Sequence, residues 1–169
     1  MFSRIILLLI VVFSLNINAK TVLELGDIPP DFLGKDNNGD IVSLKDHKGK
    51  IVVISFWASW CSPCIKELPI LENIQNKVGI DKVKVIAVNF KEDRKKYNKV
   101  KKLLSSLNLT LTHDKRGAIG KKFGVEAIPN LFIVGKNGEL VFHEIGYGDA
   151  SIDKIVEVLN QQLSSSLAV

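Results

Sequence analysis

A chain of 169 residues, 46 % hydrophobic and 24 % charged, has the composition of one ordinary globular domain, which excludes collagenous, coiled-coil and wholly disordered chains. Two cysteines are too few for the multi-bridge framework of a small secreted scaffold. The net charge of +5 comes with no arginine-rich arm and no zinc-finger spacing, so nucleic acid is not expected as a partner.

Residues 1–19 hold a single charge, Arg4, then an unbroken apolar run from Ile5 to Phe13 and a short tail ending in Ala19. This is the layout of a secretory signal. The run stops short of the roughly 20 apolar residues that a spanning helix needs. Cleavage after Ala19 would leave the branched Ile17 where a small residue is usual, so retention of the segment as an uncleaved anchor is the alternative. Residues 20–169 are then one domain working in the periplasm or on the outer face of the membrane, where disulfides form and persist.

Asp27 to Phe32 reads as an extended lead-in, since Pro29 and Pro30 forbid a helix interior. Phe32–Lys35 and Ile41–Leu44 flank the turn-rich stretch 36–40 and predict a hairpin, followed by a polar loop over Lys45–Lys50. Ile51–Trp57 is a continuous apolar run rich in β-branched residues, as expected of a strand buried on both faces. Ser62–Val78 has Ile65, Leu68, Leu71, Ile74 and Val78 at helical spacing, Pro69 inside it and Gly79 as its stop. Val83–Phe90 is a second strand and the stretch to Leu107 a second helix, giving the order β-α-β.

Arg94, Lys95, Lys96, Lys99, Lys101 and Lys102 crowd that second helix. They read as a solvated face, with attraction to an anionic lipid or an acidic partner as the alternative. Leu109–His113 predicts a short strand and Ala118–Phe123 a short helix. Leu131–Val134, the turn Gly135–Gly138 and Glu139–His143 form a hairpin. Ser151–Leu163 closes the chain as an amphipathic helix with Ser151 as N-cap. No internal repeat is present.

Trp60-Cys61-Ser62-Pro63-Cys64 falls where the buried strand hands over to the proline-containing helix. With two residues between them, both thiols can sit on the first helical turn, close enough to form a disulfide. The unsatisfied N–H groups and positive dipole at a helix N-terminus favour a thiolate there, and only a thiolate attacks a disulfide. Cys61 is the expected nucleophile and Cys64, one turn inward, the resolving thiol.

Three other readings stay open. An inert Cys61–Cys64 bridge would stabilise little, because the loop it closes is so short. A copper- or zinc-binding thiol chaperone needs further ligands, and His47, His113 and His143 are scattered without ligand spacing, so no metal and no cofactor is expected. A peroxiredoxin-like peroxidase would use Cys61 alone; its family pattern places Thr or Ser three residues earlier, where this chain has Ala58.

Phe56-Trp57-Ala58-Ser59-Trp60-Cys61-Ser62-Pro63-Cys64 with Pro69 resembles the active site and kinked helix of the thioredoxin superfamily. The upstream Pro30-Asp31-Phe32 and the stretch from Gly39-Asp40 to Gly49-Lys50 resemble its TlpA/ResA-like extracytoplasmic branch. The resemblance covers nearly all of the chain after residue 19. It implies an α/β fold with a central mixed sheet flanked by helices, extended by an N-terminal hairpin. It also implies a monomeric thiol-disulfide oxidoreductase that reduces exported proteins such as apocytochrome c and is recharged by a membrane electron carrier.

Residue by residue, Ile128-Pro129 resembles the cis-proline that faces the disulfide, with the Ile128 backbone offered to an extended substrate. Gly146 resembles the glycine of the loop bordering the site. Trp60, Ser62 and Pro63 fall on the partner-facing surface. Ser55 stands where cytoplasmic thioredoxins carry a buried aspartate. Glu92, after the next strand, matches the place of a glutamate thought to take the proton of the resolving thiol instead.

Overall fold

The computed structural model describes residues 23–165; the signal segment expected over residues 1–19 lies outside them. β1 (Phe32–Lys35) and β2 (Ile41–Ser43) pair antiparallel as a separate two-stranded hairpin. β3 (Ile51–Trp57) is buried along its whole length and leads into α1 (Ser62–Val78). There follow β4 (Val83–Phe90), α2 (Arg94–Leu103), β5 (Thr110–Asp114) and α3 (Ala118–Phe123). β6 (Asn130–Val134), β7 (Leu140–Ile145) and α4 (Asp149–Ser164) complete the chain.

The main sheet has the order β5-β4-β3-β6-β7. β3, β4 and β5 run parallel, whereas β6 is antiparallel to β3 and β7 to β6. This is the mixed sheet with a hairpin extension expected from the sequence. The direction of the strands fixes where chemistry can sit: the C-terminal ends of β3, β4 and β5 and the start of β6 share one end of the sheet, with Trp57 opposite Asn89 and Phe56 opposite Asn130.

Side chains of a strand alternate between faces, and here both faces are covered. Val52, Ile54 and Phe56 point with Ile86, Val88 and Phe132 toward the hairpin and α3. The rings of Phe90, Phe123 and Phe132 meet that of Phe56 at centroid distances of 6.1, 5.5 and 5.9 Å, the first and last edge-on and Phe123 tilted. Ile51, Val53, Val83, Val85, Leu131 and Ile133 form the other layer with Leu71 of α1 and Ile155 and Leu159 of α4. Gln75, wholly buried on α1, accepts a hydrogen bond from the Val85 N–H at 2.8 Å and donates to the Asn108 carbonyl at 2.6 Å. That pins α1 to the sheet and to the loop after α2.

The sequence expectations shift at two helix ends. α2 stops at Leu103 rather than near Leu107, because Ser105 turns its hydroxyl back onto the Lys102 carbonyl at 2.7 Å and competes with the helical bond. Asp93 caps its start, its carboxylate accepting from the N–H groups of Lys95 and Lys96. α4 starts two residues before Ser151, which is therefore not its N-cap; Gly148 takes that place and Asp149 puts an acid in the first turn, where the helix dipole favours it.

Candidate active site

β3 ends at Trp57, and the tripeptide Ala58–Trp60 carries the chain to Cys61, which caps α1. Cys61 has an extended backbone, and its sulfur accepts the Cys64 N–H at 3.3 Å. A sulfur acting as N-cap is the position that the donors at the helix start most favour as an anion. Pro63 occupies the first turn, where its missing N–H costs nothing. Cys61 and Cys64 form a disulfide with a Cα–Cα distance of 5.3 Å. Cys61 is 6 % exposed and Cys64 0 %, so an incoming group meets Cys61 first. Trp60, 67 % exposed, stands beside it, and Ser62 and Pro63 are exposed; Trp57 is fully buried in the core.

The facing wall comes from β6 and β7. The Ile128–Pro129 peptide bond is cis. The Pro129 carbonyl accepts the Gly146 N–H at 2.9 Å, tying the two loops together. Gly146 has φ +97° and open space where a Cβ would sit. Sequence reasoning missed what supports this wall. Asn130, buried, donates to the Ala127 carbonyl at 3.3 Å. Its oxygen therefore faces His143, whose Nε2 donates to it at 2.8 Å. His143 lies stacked on Phe132, and burial lowers its pKa.

Two buried carboxylates flank the Cys61–Cys64 segment. Glu92 accepts hydrogen bonds from the Ser59 N–H at 3.1 Å, from the Ser59 hydroxyl and from the Asn89 amide at 2.8 Å. It anchors the loop that precedes Cys61. His113 closes the arrangement, its Nε2 meeting the Glu92 backbone carbonyl at 2.8 Å and its ring stacked 4.4 Å from that of Tyr97 on α2.

Glu67 was not singled out from the sequence. It lies one turn beyond Cys64 on α1, is 1 % exposed, and accepts the Ser55 hydroxyl at 2.8 Å. Burial pushes its pKa up from 4.5 to about 7, the serine bond only partly offsetting this. The Ser55–Glu67 pair thus sets a buried acid between β3 and α1, one turn beyond Cys64. The signal was present in the sequence: a glutamate three residues after Cys64, between Ile65 and Leu68, on the inward face of an amphipathic helix. Among the described residues no group of three or more His, Cys, Asp or Glu is gathered as a metal site.

A reachable sulfur, a shielded partner and a buried acid are the parts that thiol-disulfide exchange needs. Known proteins agree. Residues 25–143 match the AhpC/TSA family. The chain is 35 % identical over 126 residues to the thioredoxin-like protein YneN of Bacillus subtilis, covering 73 % of each chain. It is 30 % identical over 169 residues to the thiol-disulfide oxidoreductase ResA of Oceanobacillus iheyensis, covering 94 % of this chain and 85 % of that one. A crystal structure from Chlorobium tepidum described as a thiol:disulfide interchange protein DsbE superposes with a TM-score of 0.74 at 29 % identity, over 83 % of this chain and 99 % of that one. The chain belongs to the AhpC/TSA family, as a thioredoxin-like thiol-disulfide oxidoreductase of the ResA kind.

Proposed function

We propose that this oxidoreductase works outside the cytoplasm as a monomer and reduces disulfides of exported proteins, apocytochrome c among them. The observation that carries the reading is the asymmetry of the pair at the start of α1: Cys61, the less deeply buried of the two, caps the helix N-terminus, and Cys64 is sealed behind it. In the reduced protein the Cys61 thiolate attacks one sulfur of the substrate disulfide, and the other sulfur leaves as a thiolate. Cys64 gives its proton to Glu67 and attacks Cys61. The Cys61–Cys64 bond forms, the mixed disulfide breaks, and the substrate departs with two electrons and a second free thiol. A membrane electron carrier returns the two electrons.

The Ile128 backbone, just ahead of the cis-proline, offers an extended substrate segment a short strand pairing beside Cys61. Trp60, Ser62, Pro63 and Gly146 form the rest of the docking surface. Glu92 serves by holding Ala58–Trp60 in place rather than by meeting the substrate. The apolar segment before residue 20 supports export or anchoring.

The test is a Cys64→Ser variant of the full chain expressed in its own compartment. It should accumulate mixed disulfides through Cys61 that mass spectrometry identifies, while Cys61→Ser traps almost none. Equal trapping by the two variants would refute the assignment of roles.

A further inference from the structure

The charge of this chain is sharply segregated. Between Lys91 and Lys122 there are eleven basic side chains and three acidic ones, an excess of eight in a protein whose net charge is +5, so everything else is net acidic. From Phe123 to Ser165 the balance is reversed, six acidic residues to two basic. The cationic stretch comprises α2, β5 and α3, at the β5 edge of the sheet; the acidic stretch comprises β6, β7 and α4 at the other edge. The Cys61–Cys64 pair follows the central strand, between the two.

The acids within the cationic stretch are already engaged. Glu92 and Asp114 are buried, the latter accepting the Gly120 N–H at 2.8 Å, and Asp93 caps α2. Of the eleven cations, only Lys96 is in an ion pair among the described residues, with Asp93 at 3.9 Å. Part of the cationic stretch shares the dithiol's end of the sheet. Because β3, β4 and β5 are parallel, the segments leaving β4 and β5 emerge at the same end of the sheet as Cys61. Glu92 binds Ser59, two residues before Cys61, and the neighbouring Lys91 N–H donates to the Asp114 carbonyl at 3.0 Å. Lys95, Lys115 and Arg116, all exposed, lie on the segments that follow β4 and β5 at this end of the sheet.

Unpaired charges of one sign beside a reactive group raise the local concentration of oppositely charged partners. We propose that the redox partner of this dithiol presents an acidic surface next to its reactive cysteine and docks with it against the ends of β4 and β5. The proposal rests on the exchange activity above and adds the electrostatic class of the partner.

The experiment uses the reduced full chain and three synthetic peptides, each with one intramolecular disulfide, flanked by Asp and Glu, by Ser and Gln, or by Lys. Second-order exchange rates should rank acidic over neutral over basic, with at least about a tenfold spread at low salt that shrinks severalfold at about 0.3 M salt. The triple variant Lys95→Glu, Lys115→Glu, Arg116→Glu should invert the order while leaving the neutral peptide's rate unchanged, which also shows the variant is folded.

Equal rates for acidic and basic peptides, or a faster basic one, would overturn the proposal while the exchange activity stands. Failure to exchange with any of the three would overturn both. If the triple variant left the ranking intact and instead lost binding to phosphatidylglycerol vesicles, the patch would be a lipid surface and the proposal wrong.

Discussion

Glu67 and Glu92 carry the same carboxyl group into different surroundings. Glu92 accepts from three donors on its two oxygens, which compensates its burial and ties it to the Ser59 loop. Among the described residues Glu67 has only the Ser55 hydroxyl, and burial keeps it protonated up to about pH 7. The folded state retains a proton that the unfolded state, with its carboxyl near 4.5, has already lost, so stability falls as pH rises between about 4.5 and 7 and is flat above. Glu67→Gln keeps an acceptor for Ser55 and removes the ionisation. Thermal melts should show the variant matching the parent at about pH 4.5 and exceeding it at about pH 8, by at most a few kcal/mol. The variant should also release a mixed disulfide about a hundredfold more slowly, as expected for loss of a general base. Glu92→Gln should lower stability and exchange rate together, because it loosens the loop. A Glu67→Gln protein with the parent's pH dependence would remove Glu67 from this account.

At the scale of elements, α3 shows how close packing positions the site. Gly120 lies against the Phe90 ring, where an added Cβ would come within 2.3 Å of a ring carbon, and its N–H is held by buried Asp114. Phe90 immediately precedes the Lys91–Asp93 segment that anchors the loop before Cys61. In an exposed helix Gly→Ala stabilises by roughly 1 kcal/mol, but overpacking here should cost about 1–3 kcal/mol. Urea denaturation of Gly120→Ala should therefore give a lower midpoint than the parent, and an equal or higher one would show that the ring yields freely.

The same scale separates what could be read in the sequence. Ile51–Trp57 and Val83–Phe90 were legible because central strands advertise themselves as unbroken β-branched runs. The start of α4 was not, because Ser151 and Gly148 are both acceptable starts locally. The end of α2 was missed for a related reason: the basic run continues the helical pattern, while Ser105 stops it through one short side-chain bond.

Over the whole molecule, the fold and the dithiol were legible because their determinants are local: a strand, a Cys-x-x-Cys at a helix start, a proline after it. What was not legible depends on residues distant in sequence. Glu67 becomes a buried acid bonded to Ser55 only when α1 lies over β3. Asn130 and His143 support the cis-proline wall only once β6 and β7 have paired. The division into a cationic and an acidic half was visible as a basic run, but its placement at the dithiol's end of the sheet needed the parallel order of β3, β4 and β5.

All of these features converge on one sulfur, Cys61, held where the N–H groups at the start of α1 stabilise its anion. The direct measurement is the rate of iodoacetamide alkylation of Cys61 in the reduced full chain as a function of pH, with Cys64→Ser as the control for the second thiol. A midpoint at least about one unit below the ordinary thiol value of roughly 8.5 is expected. A midpoint at or above that value would contradict the account.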